Sequence, residues 1–319
     1  MKPIFMLLGC ATLALPSAFA QDYPAKPVRI IVPYAPGGGL DVVGRPIAQR
    51  LGETYSQPVL LDNRPGAGTV IGTSMAAKSP PDGYTLLLTL SALTIGPALN
   101  PKLPYDPVKD FSPVIWVGTT SYILSVHPSV PASTVKQLIA LSKAKPGVFN
   151  YSSPGQGTDP HMAAELFKLM AGVNWTHIPY NGGGPAATAL MGGQVDLHFL
   201  PTSVGMPFVT AGKVKALAVS TAQRSSLLPD LPTIAESGVP GYSAEAWSGI
   251  LAPAGTPKEI VTKLNSAIAR IVRTADYRAL LEGRMVEPVG SSVEQFAARL
   301  QDDVAKWHRV VKQSGIKAE

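Results

Sequence analysis

Apolar and polar positions along the chain switch repeatedly between two rhythms. Short runs rich in β-branched residues and leucine, at 28–32, 58–61, 84–90, 175–180, 195–200, 214–220 and 247–251, read as strands. Between them, apolar residues recur three and four positions apart, the spacing of one helix face. Leu40, Val43, Ile47 and Leu51 form the clearest such stripe. Pro46 interrupts it, and its missing N–H predicts a kinked or shortened helix. Further helices are expected at 160–170, 257–273, 275–281 and 292–312. Asp159 before Pro160 marks a helix start, an N-cap acceptor followed by proline at the first helical position.

Strands alternating with helices predict an α/β fold. Two long extended stretches, 114–126 and 213–220, flank the middle block and predict two crossing strands that serve as a hinge. The second domain, 121–225, is then inserted into the first, formed by 21–120 and 226–319.

The amino terminus reads as an export signal. Lys2 precedes an apolar run from Ile4 to Leu15, and Ala18-Phe19-Ala20 supplies an A-x-A junction, so cleavage after Ala20 is expected. The alternative is a lipoprotein box, Leu7-Leu8-Gly9-Cys10, which would leave the chain lipidated at Cys10. Cys10 is the only cysteine. Cleavage after Ala20 removes it, and disulfides and thiolate metal sites with it. No later stretch approaches the roughly 18–20 apolar residues of a spanning helix. The expected location is periplasmic.

Composition narrows the function by exclusion. Charged residues make up 15% of the chain, against about 25% in ordinary globular proteins. The formal charge of +6 comes from scattered lysines and arginines, not from a basic run, so nucleic acid is not an expected partner. No long apolar heptad is present, and a monomer is expected.

Four loops that follow strands carry the candidate chemistry, at 33–41, 91–96, 152–159 and 180–185. Ligands of open α/β sheets sit beyond the carboxyl ends of strands. Helix starts there offer free N–H groups and partial positive charge to an anion. None of the four loops holds a lysine or arginine. A carboxylate bound there must rely on backbone N–H groups, hydroxyls or bridging water. The candidate ligand contacts are Tyr34, Pro36, Gly37, Gly38, Gly39 and Asp41 from the first loop and Ser91 from the second. Ser153, Gly157, Thr158 and His161 come from the third, Tyr180, Asn181 and Gly182 from the fourth, and Asp196 from the start of a strand. For any single loop, tight turning alone explains the glycines; for Asp41 and Asp159, capping is the default role.

Catalytic and cofactor motifs are missing. The five histidines lack metal-ligand spacing, and no G-x-S-x-G elbow or P-loop occurs. Gly66-Ala67-Gly68-Thr69-Val70-Ile71-Gly72 departs from the dinucleotide spacing and reads as a helix packed on a sheet. No cofactor is expected. An enzyme on this scaffold would have to use His161 and Asp159 as an acid–base pair.

In order along the chain stand Tyr23-Pro24, Val28-Arg29-Ile30-Ile31-Val32-Pro33, Pro36-Gly37-Gly38, Asp41 and Asn63-Arg64-Pro65-Gly66-Ala67-Gly68. They are followed by Pro81-Asp82-Gly83-Tyr84, Leu103-Pro104-Tyr105-Asp106-Pro107, Gly155, Gly157, His161, Gly192-Gly193-Gln194-Val195-Asp196 and Ala252-Pro253-Ala254-Gly255-Thr256-Pro257. This series resembles the Bug receptors, the extracytoplasmic substrate-binding proteins of tripartite tricarboxylate transporters. The resemblance implies a two-domain Venus-flytrap whose cleft captures a small carboxylate through loop backbone and water. Membrane transporter subunits, or a sensor kinase, are the implied partners. Asn181 stands where many relatives carry lysine, which leaves the ligand open between dicarboxylate, amino acid and aromatic acid.

Overall fold

A computed structural model describes residues 23–316; the export signal, Ala20 and Cys10 lie outside the described residues. The chain begins with β1 (Val28–Val32), α1 (Gly39–Tyr55), β2 (Val59–Asn63), α2 (Val70–Ala77), β3 (Thr85–Leu90), α3 (Ala92–Leu99) and β4 (Phe111–Thr120). It then builds β5 (Tyr122–Val126), α4 (Val135–Ala144), β6 (Asn150–Ser153), α5 (Asp159–Ala171), β7 (Thr176–Pro179), α6 (Gly183–Met191), β8 (Leu197–Pro201), α7 (Thr202–Thr210) and β9 (Lys215–Val219). It returns through β10 (Ala246–Pro253), α8 (Lys258–Val272), α9 (Ala275–Glu282), β11 (Glu287–Pro288) and α10 (Val293–Ser314).

Two sheets result, in the orders β11-β4-β10-β3-β1-β2 and β7-β6-β8-β5-β9. Each pairs parallel strands at one side with antiparallel ones at the crossing. Helices cover both faces of the first sheet, so β1 is a nearly unbroken apolar run, buried at four of its five positions. Leu40, Val43, Ile47 and Leu51 are buried as their spacing predicts, but α1 runs through Pro46 to Tyr55. The buried stripe on both sides of Pro46 outweighs its single missing hydrogen bond.

The first crossing is where the pattern places it: β4 ends at Thr120, Ser121 links, and β5 begins at Tyr122. The second is not at 213–220. β9 lies wholly inside the second sheet, paired with β5. Pro229, Pro232 and Pro240 cannot donate to a ladder, and the chain loops back, with the Val219 N–H bonded to the Pro232 carbonyl. It crosses only where Ala244 bonds Ser220 and Ala246 pairs with Thr120. Ile234, Val239 and Tyr242, beyond residue 225, therefore sit in the second lobe's core. Two helices serve both lobes. α10 gives Phe296 and Leu300 to the first core and Trp307 and Val310 to the second, while α3 gives Leu93 to the first and Ile95 to the second. Each such large side chain contributes roughly 1.5–3 kcal/mol by burial, so α3 and α10 tie the two lobes together through apolar packing.

Candidate ligand-binding cleft

A cavity of ≈ 300 Å³ lies between the lobes. Its first wall is the loop after β1. Gly37 takes φ +86°, a conformation glycine adopts without cost, and its N–H donates to Asp41 Oδ2 at 2.8 Å. Asp41 also accepts from Asn63 Nδ2 at 2.9 Å and Arg45 Nη2 at 2.7 Å. Burial pushes this carboxyl up, but the three donors outweigh it and hold it below the usual range. Asp41 thus fastens the loop to α1 and to β2, and its charge is already satisfied. Gly38 is the N-cap of α1 and supplies no side-chain cap, and with Gly39 and Leu40 it lines the cavity.

The second lobe supplies Tyr122, Asp159 and Pro201. Thr158, not Asp159, is the N-cap of α5; its hydroxyl turns back to the Gly155 carbonyl at 2.7 Å. Asp159 instead accepts from Ser91 Oγ at 2.5 Å, a hydrogen bond that joins the lobes. Burial raises its pKa, and the Ser91 hydroxyl opposes that. Tyr34 completes this end of the cavity. Its hydroxyl is buried beside Thr89. Burial raises its pKa far above the ordinary tyrosine value, and the neighbouring Asp159 charge adds to it. The rest of the lining includes the apolar Val43, Leu90, Ala246 and Val286 and the hydroxyl residues Thr120 and Ser248, and no lysine or arginine lines the cavity.

Of the candidate contacts read from the sequence, Tyr34, Gly38, Gly39 and Asp41 line this cavity, and Ser91 bonds its wall. Pro36 and Gly37 are exposed on the turn behind it. The loops at 153–158 and 180–182 lie together but outside the lining. Ser153 Oγ is 2.7 Å from His177 Nε2, and Tyr180 and Gly182 donate to the Ser153 and Pro154 carbonyls. Asn181 is exposed. His161 accepts from the Gly157 N–H at 2.9 Å and stacks on His177 with ring centroids 4.0 Å apart. Burial lowers both imidazoles to about 4, His177 adding to the effect on His161. His161 therefore holds the loop as a neutral ring, and it makes no pair with Asp159.

Asp196 does not reach the cleft. It sits just before β8, at the opposite end of that strand from Pro201, where its Oδ2 accepts from the Asn150 N–H at 2.8 Å. Thr120, Tyr122, Pro201, Ser248 and Val286 line the cavity without having been singled out. Thr120 ends β4 and Pro201 ends β8, so the strand-end rule reaches these two, while Tyr122 opens β5 just past the crossing. Ser248 and Val286 have no local signal. A larger open depression of ≈ 540 Å³ lies over the prolines at 97–107 and contains none of the strand-end glycine loops. Among the described residues no cluster of His, Cys, Asp and Glu can hold a metal, and no helix is long and apolar enough to cross a membrane.

Two α/β lobes joined by crossing segments, with a cleft walled by strand ends and helix starts, define a two-lobed solute-binding protein. The family model described as "Tripartite tricarboxylate transporter family receptor" matches residues 43–316, and the chain belongs to that family. It is 36% identical over 318 residues to Protein BugT of Bordetella pertussis, covering 98% of this chain and 97% of BugT. Rpa4515 of R. palustris, solved with adipate, superposes with a TM-score of 0.76 at 37% identity over 93% of this chain and all of that one. A ligand-free TctC solute-binding protein from Polaromonas superposes with a TM-score of 0.83 at 30% identity, over 91% of this chain and 99% of that one.

Proposed function

We propose that this protein is an exported periplasmic receptor that captures a small carboxylated molecule between its lobes and hands it to a membrane transporter without chemical turnover. The observation that carries the reading is the interlobe cavity itself, lined on one side by Gly38, Gly39 and Leu40 at the start of α1 and beside them by Tyr34, with no basic side chain. Peptide dipoles at a helix start stabilise negative charge without a cationic side chain. The adipate held by Rpa4515 supports the same class of guest. Closure about Ser121 and residues 244–246 would exclude water and strengthen those contacts. A sensor kinase would use the same closed form. The rival acid–base reading loses its basis, because His161 is committed to Gly157 and Asp159 to Ser91.

The test is thermal melting against a panel of mono-, di- and tricarboxylates and aromatic acids. A true ligand at about a hundred times its Kd adds about 2.7 kcal/mol to native stability, and the midpoint rises by several degrees. A panel that leaves the midpoint unmoved overturns the reading.

A further inference from the structure

A second cavity of ≈ 260 Å³ adjoins the first and shares Gly39, Val43, Thr120 and Val286 with it. Its remaining lining differs in kind. Arg284 enters from the first lobe and Ser203 from the second. Arg284 lies in the turn after α9, fixed by its own N–H on the Leu281 carbonyl and by the Met285 N–H on Glu282. The second lobe braces that turn, since Thr202 Oγ1 donates to the Met285 carbonyl at 3.4 Å.

Arg284 is exposed, and its guanidinium has no hydrogen-bond or ion-pair partner among the described residues. The acidic side chains on either side of it in the chain are otherwise engaged: Glu282 pairs with Arg278, and Glu287 accepts from Ser225. Ser203 stands in the first turn of α7, whose N-cap, Pro201, provides no side-chain cap. A guanidinium, a hydroxyl and an uncapped helix start thus meet one cavity from opposite lobes. The inner cavity has the opposite character, with Asp159 and no basic group.

We propose that Arg284, facing Ser203, is the specificity-determining residue of the cleft and reads a second acidic group at the ligand's outer end. The assignment rests on the capture reading above. The inner end of the ligand meets α1 and Tyr34, its apolar middle passes Val43 and Val286, and its outer acid bridges Arg284 and Ser203 as the lobes close. Arginine suits this task because its planar fork donates two parallel hydrogen bonds to a carboxylate.

Titration calorimetry on matched pairs tests it: butanedioate against butanoate, hexanedioate against hexanoate, octanedioate against octanoate. For the best-fitting length, the wild-type protein binds the diacid about tenfold more tightly than the monoacid, a difference of about 1.4 kcal/mol. Arg284→Gln abolishes that preference and leaves the monoacid's affinity and the unliganded melting point in place, while Arg284→Lys retains part of it. If monoacids bind and the preference is absent, or survives Arg284→Gln, the role of Arg284 is overturned and the capture reading stands. If no member of the series binds the wild-type protein, the capture reading falls for these acids, and the assignment of Arg284 falls with it.

Discussion

Tyr34 is where one residue's chemistry speaks most directly about the guest. Its ring packs on the first lobe's core at the edge of the cavity, and its hydroxyl is buried beside Thr89. Tyr34→Phe keeps the ring and removes only the hydroxyl, so urea denaturation of the unliganded protein should show stability changed by no more than about 1 kcal/mol. Affinity for a bound carboxylate should fall several-fold in the same variant. A variant that binds as well as the wild-type protein would remove this hydroxyl from the site. Residues of this kind were legible because they sit where a strand gives way to a helix, as Gly38 at the N-cap of α1 and Gly39 and Asp41 in its first turn do. Asp159 was legible as a helix opener, but not as the acceptor of Ser91, because that hydrogen bond joins residues 68 apart in sequence. Arg284 and Val286 had no legible signal, since they enter the cleft through a turn that no motif marks.

At the scale of elements, most helices were readable, including the eight-residue α9, and three were not. α1, α5, α8 and α10 announce themselves by apolar spacing, whereas α3, α4 and α7 are short and owe their form to the lobes they pack on. β9 shows the limit of pattern reading. Its apolar run looks like a crossing strand, and only the prolines beyond it turn the chain back. The glycines at 66–72 illustrate the reverse, a motif whose spacing already pointed to packing. Gly72 lies in α2 pressed against the backbone, and a Cβ added there would stand 2.5 Å from the Arg64 carbonyl oxygen and 2.9 Å from Pro33 Cα. Neither atom can rotate away, so Gly72→Ala must push α2 off the sheet. Overpacking of this sort costs about 1–3 kcal/mol, which a urea melt would register. A loss below about 0.5 kcal/mol, the range of surface substitutions, would contradict the packing seen here.

The whole molecule is held together partly by groups that must keep one protonation state, and this sets its response to pH. His161, His177 and His198 are all lowered to about 4, each chiefly by burial. In the unfolded chain the same imidazoles titrate at the ordinary value of about 6.5. Above that pH both states are neutral and the histidines do not influence the balance. As pH falls from about 6.5 toward 4, the unfolded chain takes up protons that the native state refuses, so native stability drops. The carboxyls of Asp41, Glu165 and Asp303 are buried, which pushes them up, yet their hydrogen bonds and charged neighbours hold them below the usual range. Their contribution is present above the ordinary carboxylate range and is lost below it, extending the decline. Asp159 acts in the opposite sense, because its raised pKa lets the native state bind a proton more readily than the unfolded chain. This one group opposes the decline that the three histidines and three carboxyls produce together. Unfolding free energies from urea melts should therefore be flat near neutrality and fall from about pH 6.5 downward, and His177→Asn should flatten that slope by about one proton. A profile level from pH 7 to about 4.5 would mean that these rings are not buried neutral. The stacked His161 and His177 would then not be what holds the loop ahead of α5 in place.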